Sequence, residues 1–121
     1  MKTFLAIYTG RPAMRERFEQ EYSDPQERKA VEKRGIEAWG AWVTSNPTSI
    51  VDNGGPLGKT KRIDPDGISD VRNSLTGYTI VRAETHEAAA ALFLDHPHFS
   101  IFPGDAVEVM EVLPIPATHT D

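Results

Sequence analysis

The sequence predicts an α+β fold in which two helices lie on one face of an antiparallel sheet. Three observations lead to this prediction: a clear helix start at Asp24–Pro25, an alanine-rich helix after Thr85, and strand-like runs before, between and after these helices. The order strand, helix, two or three strands, helix, strand is that of a ferredoxin-like split βαβ unit. A chain of 121 residues corresponds to one such domain.

The first strand-like run, Thr3 to Tyr8, is apolar on both of its faces. Successive side chains of a strand point to opposite faces, so Leu5 and Ile7 share one face and Phe4 and Tyr8 share the other. Such a strand needs cover on both sides, whereas a split βαβ unit covers only one. We expect Phe4 and Tyr8 to lie on the open face, where a second copy of the chain covers them and closes a dimeric α/β barrel.

The first helical region has a weak part and a strong part. The segment from Ala13 to Ser23 is mixed and charged, and it predicts only one or two helical turns. A longer helix begins at Asp24–Pro25, because Asp is a favoured N-cap and Pro suits the first helical position. It continues to Ser45, where an Asn-Pro pair ends it. Trp39 and Trp42 fall on its apolar side at helical spacing, which indicates packing against the sheet.

The middle of the chain contains one strong strand and three weak ones. Ser49 to Val51 predicts a short strand, which is followed by the glycine-rich bend "NGGPLG". Lys59 to Ile63 and Ile68 to Arg72 predict short strands on either side of an Asp-Pro-Asp-Gly turn, the first of them at a sheet edge. Gly77 to Ala83 is a good strand because it is rich in β-branched and aromatic residues.

The last part of the chain predicts a second helix and a final strand. Thr85 caps a helix from His86 to about Asp95, which is rich in alanine, the strongest helix former. Ala106 to Leu113 is the final strand. We expect residues 1–116 to form a single domain and residues 117–121 to form a flexible tail.

The composition of the chain argues against several classes of partner. It has 18 acidic and 13 basic residues, for a formal charge of −5, whereas nucleic-acid-binding proteins present a basic face. It has no cysteine, so we predict no disulfide and no thiolate chemistry, in keeping with a cytoplasmic location. No apolar run approaches the ~20 residues that span a bilayer, so we predict no membrane partner.

Five separated segments resemble the YCII-related domain proteins and occur in the same order as in that family. They are "EAWGAWV", "IVDNGGPLGK", "LTGYTIVRAET", "LDHPHF" and "VEVMEVLPIP", and they are closest to the branch with Asp-Gly-Pro-Phe (DGPF) loops. The resemblance covers Thr3 to Pro116 and implies a YCII-like domain that forms a dimeric α+β barrel. For the name-giving branch it implies a His-Asp pair whose histidine lies in the first helix, but this sequence has no histidine between Met1 and Thr85.

The segment "LDHPHF" contains the strongest candidate for acid/base chemistry, His96. Pro97 ends the helix at this residue, and an imidazole with an ordinary pKa of about 6.5 exchanges protons near neutral pH. The alternative is structural: the histidine caps the last free carbonyl groups of the helix. His96 and His98 do not have the spacing of a familiar zinc motif, so we predict no metal site.

Further residues are candidate contacts for a small organic ligand. Asp52 precedes the glycine-rich bend, and it either orients a histidine or starts an Asx turn. Tyr8 and Tyr78 lie on strands, and their hydroxyl groups need partners when they are buried. They line a pocket if they face a closed interior, and they are ordinary interface tyrosines otherwise. Trp42 and His98 are the remaining candidates, although core packing is the usual role of such a tryptophan.

Two functions follow from these candidates. In the first, the protein is an enzyme that needs no cofactor and transfers a proton on a small organic molecule, as in an isomerisation or an elimination. His96 then moves the proton, while Asp52 or an inward-facing glutamate, Glu108 or Glu111, orients it. In the second, the same homodimer is a binding or regulatory module without turnover. A Ser-His-Asp system is not supported, because the sequence has no G-x-S-x-G motif.

Overall fold

A computed structural model of the chain describes residues 1–102 and 104–116, so the predicted tail and His119 lie outside the described residues. Six strands and four helices follow one another in this part of the chain. Their bounds are β1 Lys2–Thr9, α1 Pro12–Glu21, α2 Pro25–Ser45, β2 Ile50–Pro56, β3 Thr60–Asp64, β4 Gly67–Val71, β5 Leu75–Ala83, α3 His86–Ala91, α4 Pro97–Ser100 and β6 Ala106–Glu111.

The main sheet has four strands in the order β2-β5-β1-β6, and all neighbouring strands run antiparallel. This is the strand order of the ferredoxin-like split βαβ unit, so the predicted fold class is confirmed. β3 and β4 pair with each other in a separate hairpin, in which Ile63 lies opposite Ile68. The strand predicted at a sheet edge, Lys59 to Ile63, is therefore one arm of this hairpin.

The helices α1, α2 and α3 begin at or within one residue of the predicted positions, but two of them differ in length, and α4 was not predicted. The side chain of Asp24 accepts a hydrogen bond from the backbone N–H of Gln26, and that of Thr85 accepts one from Ala88, both at 3.0 Å. α1 is a full helix of 10 residues rather than one or two turns, and α3 ends early, at Ala91. None of the helices in residues 1–102 and 104–116 is long and apolar enough to cross a membrane.

The core lies between the main sheet and the helices. Phe4, Ala6 and Tyr8 alternate along β1, are at most 1% exposed, and pack with Trp39 and Trp42 of α2. The expectation that Phe4 and Tyr8 lie on the open face is therefore wrong. Because both faces of β1 are apolar, the alternation alone does not identify the face toward the helices. In the structure the large rings of Phe4 and Tyr8 lie on the face that the helices cover.

The opposite face of the sheet is not covered by any helix in the described part of the chain. The strand register places on it a row of apolar side chains that are half-buried or exposed: Leu5, Ile7, Tyr78, Ile80 and Met110. A contiguous apolar surface of this kind is typical of an interface.

The glycine-rich bend predicted after Val51 is part of β2, which is longer and more irregular than expected. Its register with β5 shifts between Ile50 and Asp52 and again between Asp52 and Gly55. Gly54 lies in this irregular stretch with a φ of +67°. A Cβ at Gly54 would overlap the backbone carbonyl of Tyr78 on β5, so only glycine fits where β2 bends against its neighbour.

We expect Gly54→Ala to destabilise the fold by at least about 1–2 kcal/mol, which is the cost of left-handed backbone in a residue with a side chain. The steric overlap with Tyr78 adds to this cost. Gly55→Ala is the matched control, because a Cβ at Gly55 meets no atom within 4 Å. Urea denaturation measures both changes, and equal stability of the two variants would contradict the structure of this bend.

Candidate functional site

His96 starts a helix instead of ending one. It is the N-cap of α4, and its Nδ1 accepts a hydrogen bond from the backbone N–H of His98 at 3.0 Å. Pro97 occupies the first helical position, which suits its fixed φ. The structural alternative considered for His96, a cap at the C-terminus of the preceding helix, is therefore wrong, because that helix has already ended at Ala91.

The imidazole of His96 is completely buried between aromatic rings. Its centroid lies 4.2 Å from that of Trp39 and 4.5 Å from that of Trp42, and both pairs are edge-on. Burial lowers the pKa of His96 to about 4, and the neighbouring His98 is the second cause. The ring is therefore uncharged at neutral pH.

The hydrogen bonds of this ring determine the direction of a longer chain of bonds. Because Nδ1 of the neutral ring accepts from His98, its proton lies on Nε2, which is 3.4 Å from the hydroxyl oxygen of Tyr8. The hydroxyl group of Thr79 donates to the backbone carbonyl of Asn53 at 3.2 Å. The Tyr8 hydroxyl must then donate to the Thr79 oxygen, 2.8 Å away. Burial raises the pKa of Tyr8 to about 12, so this chain is neutral throughout.

A pocket of about 830 Å³ lies beside this chain, between α2 and the strands. This volume is within the usual range for a small-molecule site. Trp39 and Val43 of α2 form one apolar wall, and Phe102 forms another. The other lining residues are Tyr8, Arg15, Ile36, Gly40, Thr44, Asn53, Gly54, Gly55, Pro56, Thr76, Gly77, His98 and Gly104.

His98 is the histidine that lines the pocket. Its Nε2 donates to the backbone carbonyl of Thr9 at 2.9 Å, which connects α4 to the end of β1. Burial lowers its pKa, while the backbone oxygens of Thr9 and Ala106 and the charge of Asp105 oppose this shift. The ring lies so close to Gly104 that a Cβ there would overlap it.

The structure brings some of the predicted site residues together and separates others. Tyr8 and His98 line the pocket, and His96 is bonded to Tyr8 outside the lining. Trp42 also lies outside the lining; its indole N–H donates to the carbonyl of Leu92 at 2.9 Å, and its ring packs against His96.

The two remaining candidates lie away from this site. Tyr78 is on the opposite face of the sheet from Tyr8, because its neighbours Gly77 and Thr79 are the residues of β5 that face the helices. Asp52 is exposed, and its side chain accepts the N–H of Gly54 at 2.8 Å, as in the predicted Asx turn.

Of the two glutamates considered, Glu111 is on the side of the helices and Glu108 is exposed on the open face.

Thr79, Phe102 and Arg15 are among the residues of the site that have no counterpart in the predictions. Thr79 had a signal, because it is the one polar residue in the alternating row that also contains Val81 and Ala83 on β5. Phe102 and Arg15 gave no signal, since the first lies outside any predicted element and the second lies in a segment predicted only as weak helix. Within residues 1–102 and 104–116, no three His, Asp or Glu side chains converge as metal ligands do.

The fold and the pocket define a ferredoxin-like α+β protein with a small-molecule-sized cavity on the helix side of its sheet. No protein-family model matches the chain, and no curated protein matches it. Among solved structures it is similar to 5-chloro-2-hydroxyhydroquinone dehydrochlorinase (TftG) from Burkholderia phenoliruptrix AC1100, in complex with 2,5-dihydroxybenzoquinone. The two are 18% identical, with a TM-score of 0.52 over 89% of this chain and 90% of that chain. This likeness shows the fold, which is the one that the resemblance to YCII-related proteins implied.

The buried neutral state of His96 makes stability depend on pH. Its folded pKa of about 4 lies below the ordinary 6.5, so the unfolded chain binds this proton more readily, and acid favours unfolding. We expect on the order of 3 kcal/mol of stability to be lost between pH 6.5 and pH 4 through this residue.

The matched variant is His96→Asn, because asparagine keeps an N-cap acceptor for the N–H of His98 but does not titrate. Urea denaturation across this pH range should give a flatter profile for the variant than for the unchanged chain. Parallel profiles would mean that His96 is charged or exposed in solution.

Proposed function

We propose that this protein is an enzyme that needs no cofactor and transfers a proton on a small hydroxylated aromatic molecule, as in an isomerisation or an elimination. One observation carries the proposal: the 830 Å³ pocket has mostly apolar walls and is lined by Tyr8 and His98, the first of which is hydrogen-bonded to His96. Apolar walls with a few placed polar groups are typical of sites for small organic molecules.

The walls suit a flat ring. Trp39 and Phe102 both line the pocket with their ring centroids 5.8 Å apart, and Val43 adds an aliphatic side chain. An aromatic ligand makes stacked or edge-on contacts with such side chains. Asn53, Thr44 and Thr76 line the same pocket. The hydroxyl groups of Thr44 and Thr76 donate to backbone carbonyls, so their oxygens would accept from hydroxyl groups on the ring, and the Asn53 amide would serve hydroxyl or carbonyl groups.

The proposed chemistry uses a neutral imidazole as a donor. In this scheme the Tyr8 O–H turns from Thr79 to a basic atom of the bound ring and gives it the proton. The N–H at Nε2 of His96 then stabilises the negative charge on the Tyr8 oxygen until the ring returns a proton to it. His98 is the second group proposed to handle a proton, because it lines the pocket; burial lowers its pKa, and the backbone oxygens of Thr9 and Ala106 oppose this shift. In this scheme Asp52 shapes the bend of β2 and thereby positions Asn53 and Gly54, rather than orienting His96 directly.

The similar structure supports this class of reaction. TftG is a dehydrochlorinase, and its structure contains 2,5-dihydroxybenzoquinone, a small oxygenated ring. We further propose that the chain belongs to the DGPF-type branch of the YCII family, on the basis of its "DNGGPLG" segment, and that it acts in the cytoplasm.

A second function is favoured by the two pKa values. A pKa of about 4 for His96 and of about 12 for Tyr8 both lie far from neutral, whereas an efficient acid or base has its pKa near the working pH. Groups with such pKa values neither gain nor lose a proton near neutral pH, and they suit recognition of a ligand. The alternative proposal is therefore a binding or regulatory module that uses the same pocket without turnover.

We expect Tyr8→Phe to weaken binding of hydroquinone and of 2,5-dihydroxybenzoquinone, because Tyr8 is the tyrosine that lines the pocket. Tyr78→Phe is the matched control, since it removes the same hydroxyl group from the opposite face of the sheet. Calorimetric titration gives the affinities, and absorbance or proton exchange of the bound ring reports turnover.

The outcomes separate the alternatives. Turnover that falls with Tyr8→Phe and with His96→Asn supports the enzyme, and binding without turnover supports the module. If Tyr78→Phe abolishes binding and Tyr8→Phe does not, the ligand occupies the open face of the sheet and the proposed site is wrong.

We also propose that the protein is a homodimer in which two open sheet faces pack together. Leu5 lies opposite both Ile80 and Met110, and Ile7 lies opposite Tyr78, so the apolar side chains form a continuous patch across three strands. A patch of this kind suits an isologous interface with a second copy.

We expect Leu5→Lys to shift the dimer toward monomer, because Leu5 lies between Ile80 and Met110 and the lysine would place a charge among these apolar side chains. The long side chain of lysine can reach water in a monomer, so the fold should tolerate the change. Ile63→Lys is the control, because Ile63 is 72% exposed on the hairpin. Sedimentation velocity at micromolar concentration measures the masses, and a monomeric unchanged chain would refute the dimer.

A further inference from the structure

The pocket is mostly apolar, but Arg15 of α1 contributes a positive charge to its lining. Among the described residues that line the pocket, Arg15 is the only one with a permanent charge, and none of them carries a carboxylate. His98 also lines it, but burial lowers its pKa and favours the neutral ring. The whole chain has a formal charge of −5, so the positive charge of Arg15 is opposite in sign to the net charge of the protein.

The carboxylates near Arg15 hold it weakly. Its Nε is 3.4 Å from Oε1 of Glu19, and its Nη2 is 3.5 Å from Oε1 of Glu32, whereas charge-assisted bonds of this type measure ~2.7–2.9 Å. All three side chains are more than one-third exposed, and exposed pairs contribute little in water. A guanidinium has five N–H donors, so Arg15 keeps donors for another anion.

Arg11 shows what a fully engaged arginine looks like in this protein. Its Nε and Nη2 bind the two oxygens of Asp105 at 3.0 and 3.1 Å, and its backbone N–H binds the same carboxylate at 2.7 Å. Arg15 is instead placed by an aromatic ring: its Cζ is 5.6 Å from the centroid of the buried Phe18. Contact with a ring face fixes the position of a guanidinium and leaves its N–H edges free.

We infer that the pocket takes an aromatic ring that carries an anionic group, and that Arg15 binds that group. The aromatic ring of the ligand is taken from the proposed function, on which this inference rests. The anionic group of the ligand is inferred from Arg15 in the pocket lining. With its ring beside Trp39 and Phe102, such a ligand would place a carboxylate against the guanidinium, which matches it with two parallel hydrogen bonds. Arg15 then selects charged rings over neutral ones, and Glu32 competes with the ligand for it.

Two probes isolate the anionic group: hydroquinone and 2,5-dihydroxybenzoate have the same ring and differ by one carboxylate. Calorimetric titration of the full chain with each probe should show tighter binding of 2,5-dihydroxybenzoate. Arg15→Gln should weaken that binding about tenfold, as expected for loss of a charge-assisted hydrogen bond, and should leave hydroquinone binding unchanged. Arg15→Lys should be intermediate, because lysine keeps the charge without the planar pair of donors.

Two further variants provide controls of opposite kinds. Glu32→Gln removes the competing carboxylate, so it should tighten binding of 2,5-dihydroxybenzoate and leave hydroquinone binding unchanged. Arg17→Gln removes the same charge from the same helix at an exposed residue outside the pocket lining, so it should change neither affinity. The effects of Arg15 and Glu32 should shrink as salt is added, because both pairs are exposed.

The outcomes distinguish this inference from the proposed function. If hydroquinone binds and Arg15→Gln leaves the preference between the probes unchanged, the anion site is wrong and the ring site stands. If Arg15→Gln weakens both probes equally, Arg15 contributes packing rather than charge recognition, and the inference is again wrong. If neither probe binds to the unchanged chain, the ring site and the anion site fall together.

Discussion

The site depends on one uncharged imidazole, that of His96, which is completely buried with both ring nitrogens facing partners. A charged ring in this position would lose its hydration among aromatic neighbours that cannot replace it. A neutral ring has one donor and one acceptor, and the surroundings use each of them once. The same residue therefore begins α4, holds the Tyr8 hydroxyl and packs against two tryptophans.

The chain of hydrogen bonds that runs through this ring connects two walls of the pocket. It begins at the backbone N–H of His98 and ends at the backbone carbonyl of Asn53, and both residues line the pocket. Each end is a backbone group with a fixed role as donor or acceptor, so the direction of every bond between them follows. Bonds aligned in this way polarise one another in a buried setting. The geometry of the α4 segment and that of the irregular β2 strand are thus linked through the sheet.

The helix starts that are set by capping residues could be predicted from the sequence. The features that depend on how the helices pack on the sheet could not. The caps at Asp24 and Thr85 are satisfied within a few residues, so the starts of α2 and α3 follow from the sequence. The face that Tyr8 occupies depends on where the helices pack, and two apolar faces give no basis for choosing. The role of His96 depends on where α3 ends. If α3 continued to Asp95, His96 would lie at its C-terminus. Because α3 ends at Ala91, one turn earlier, His96 lies at the N-terminus of α4 instead.

The pocket exists because large and small residues alternate where α2 crosses the sheet. Trp39 and Trp42 fill the space between the helix and the strands, and the indole N–H of Trp42 is bonded to the carbonyl of Leu92. Beside them the space is lined by residues without side chains, namely Gly40, Gly54, Gly55, Gly77 and Gly104. A Cβ at Gly40 or Gly55 would meet no atom of the described residues within 4 Å, so no side chain of the described part of the chain fills the space next to these two glycines. The segment "AWGAW", which is part of the family resemblance, thus sets both the core and the cavity. The polar groups of the site lie on that side of the sheet, whereas Leu5, Ile7 and Ile80 lie on the opposite face.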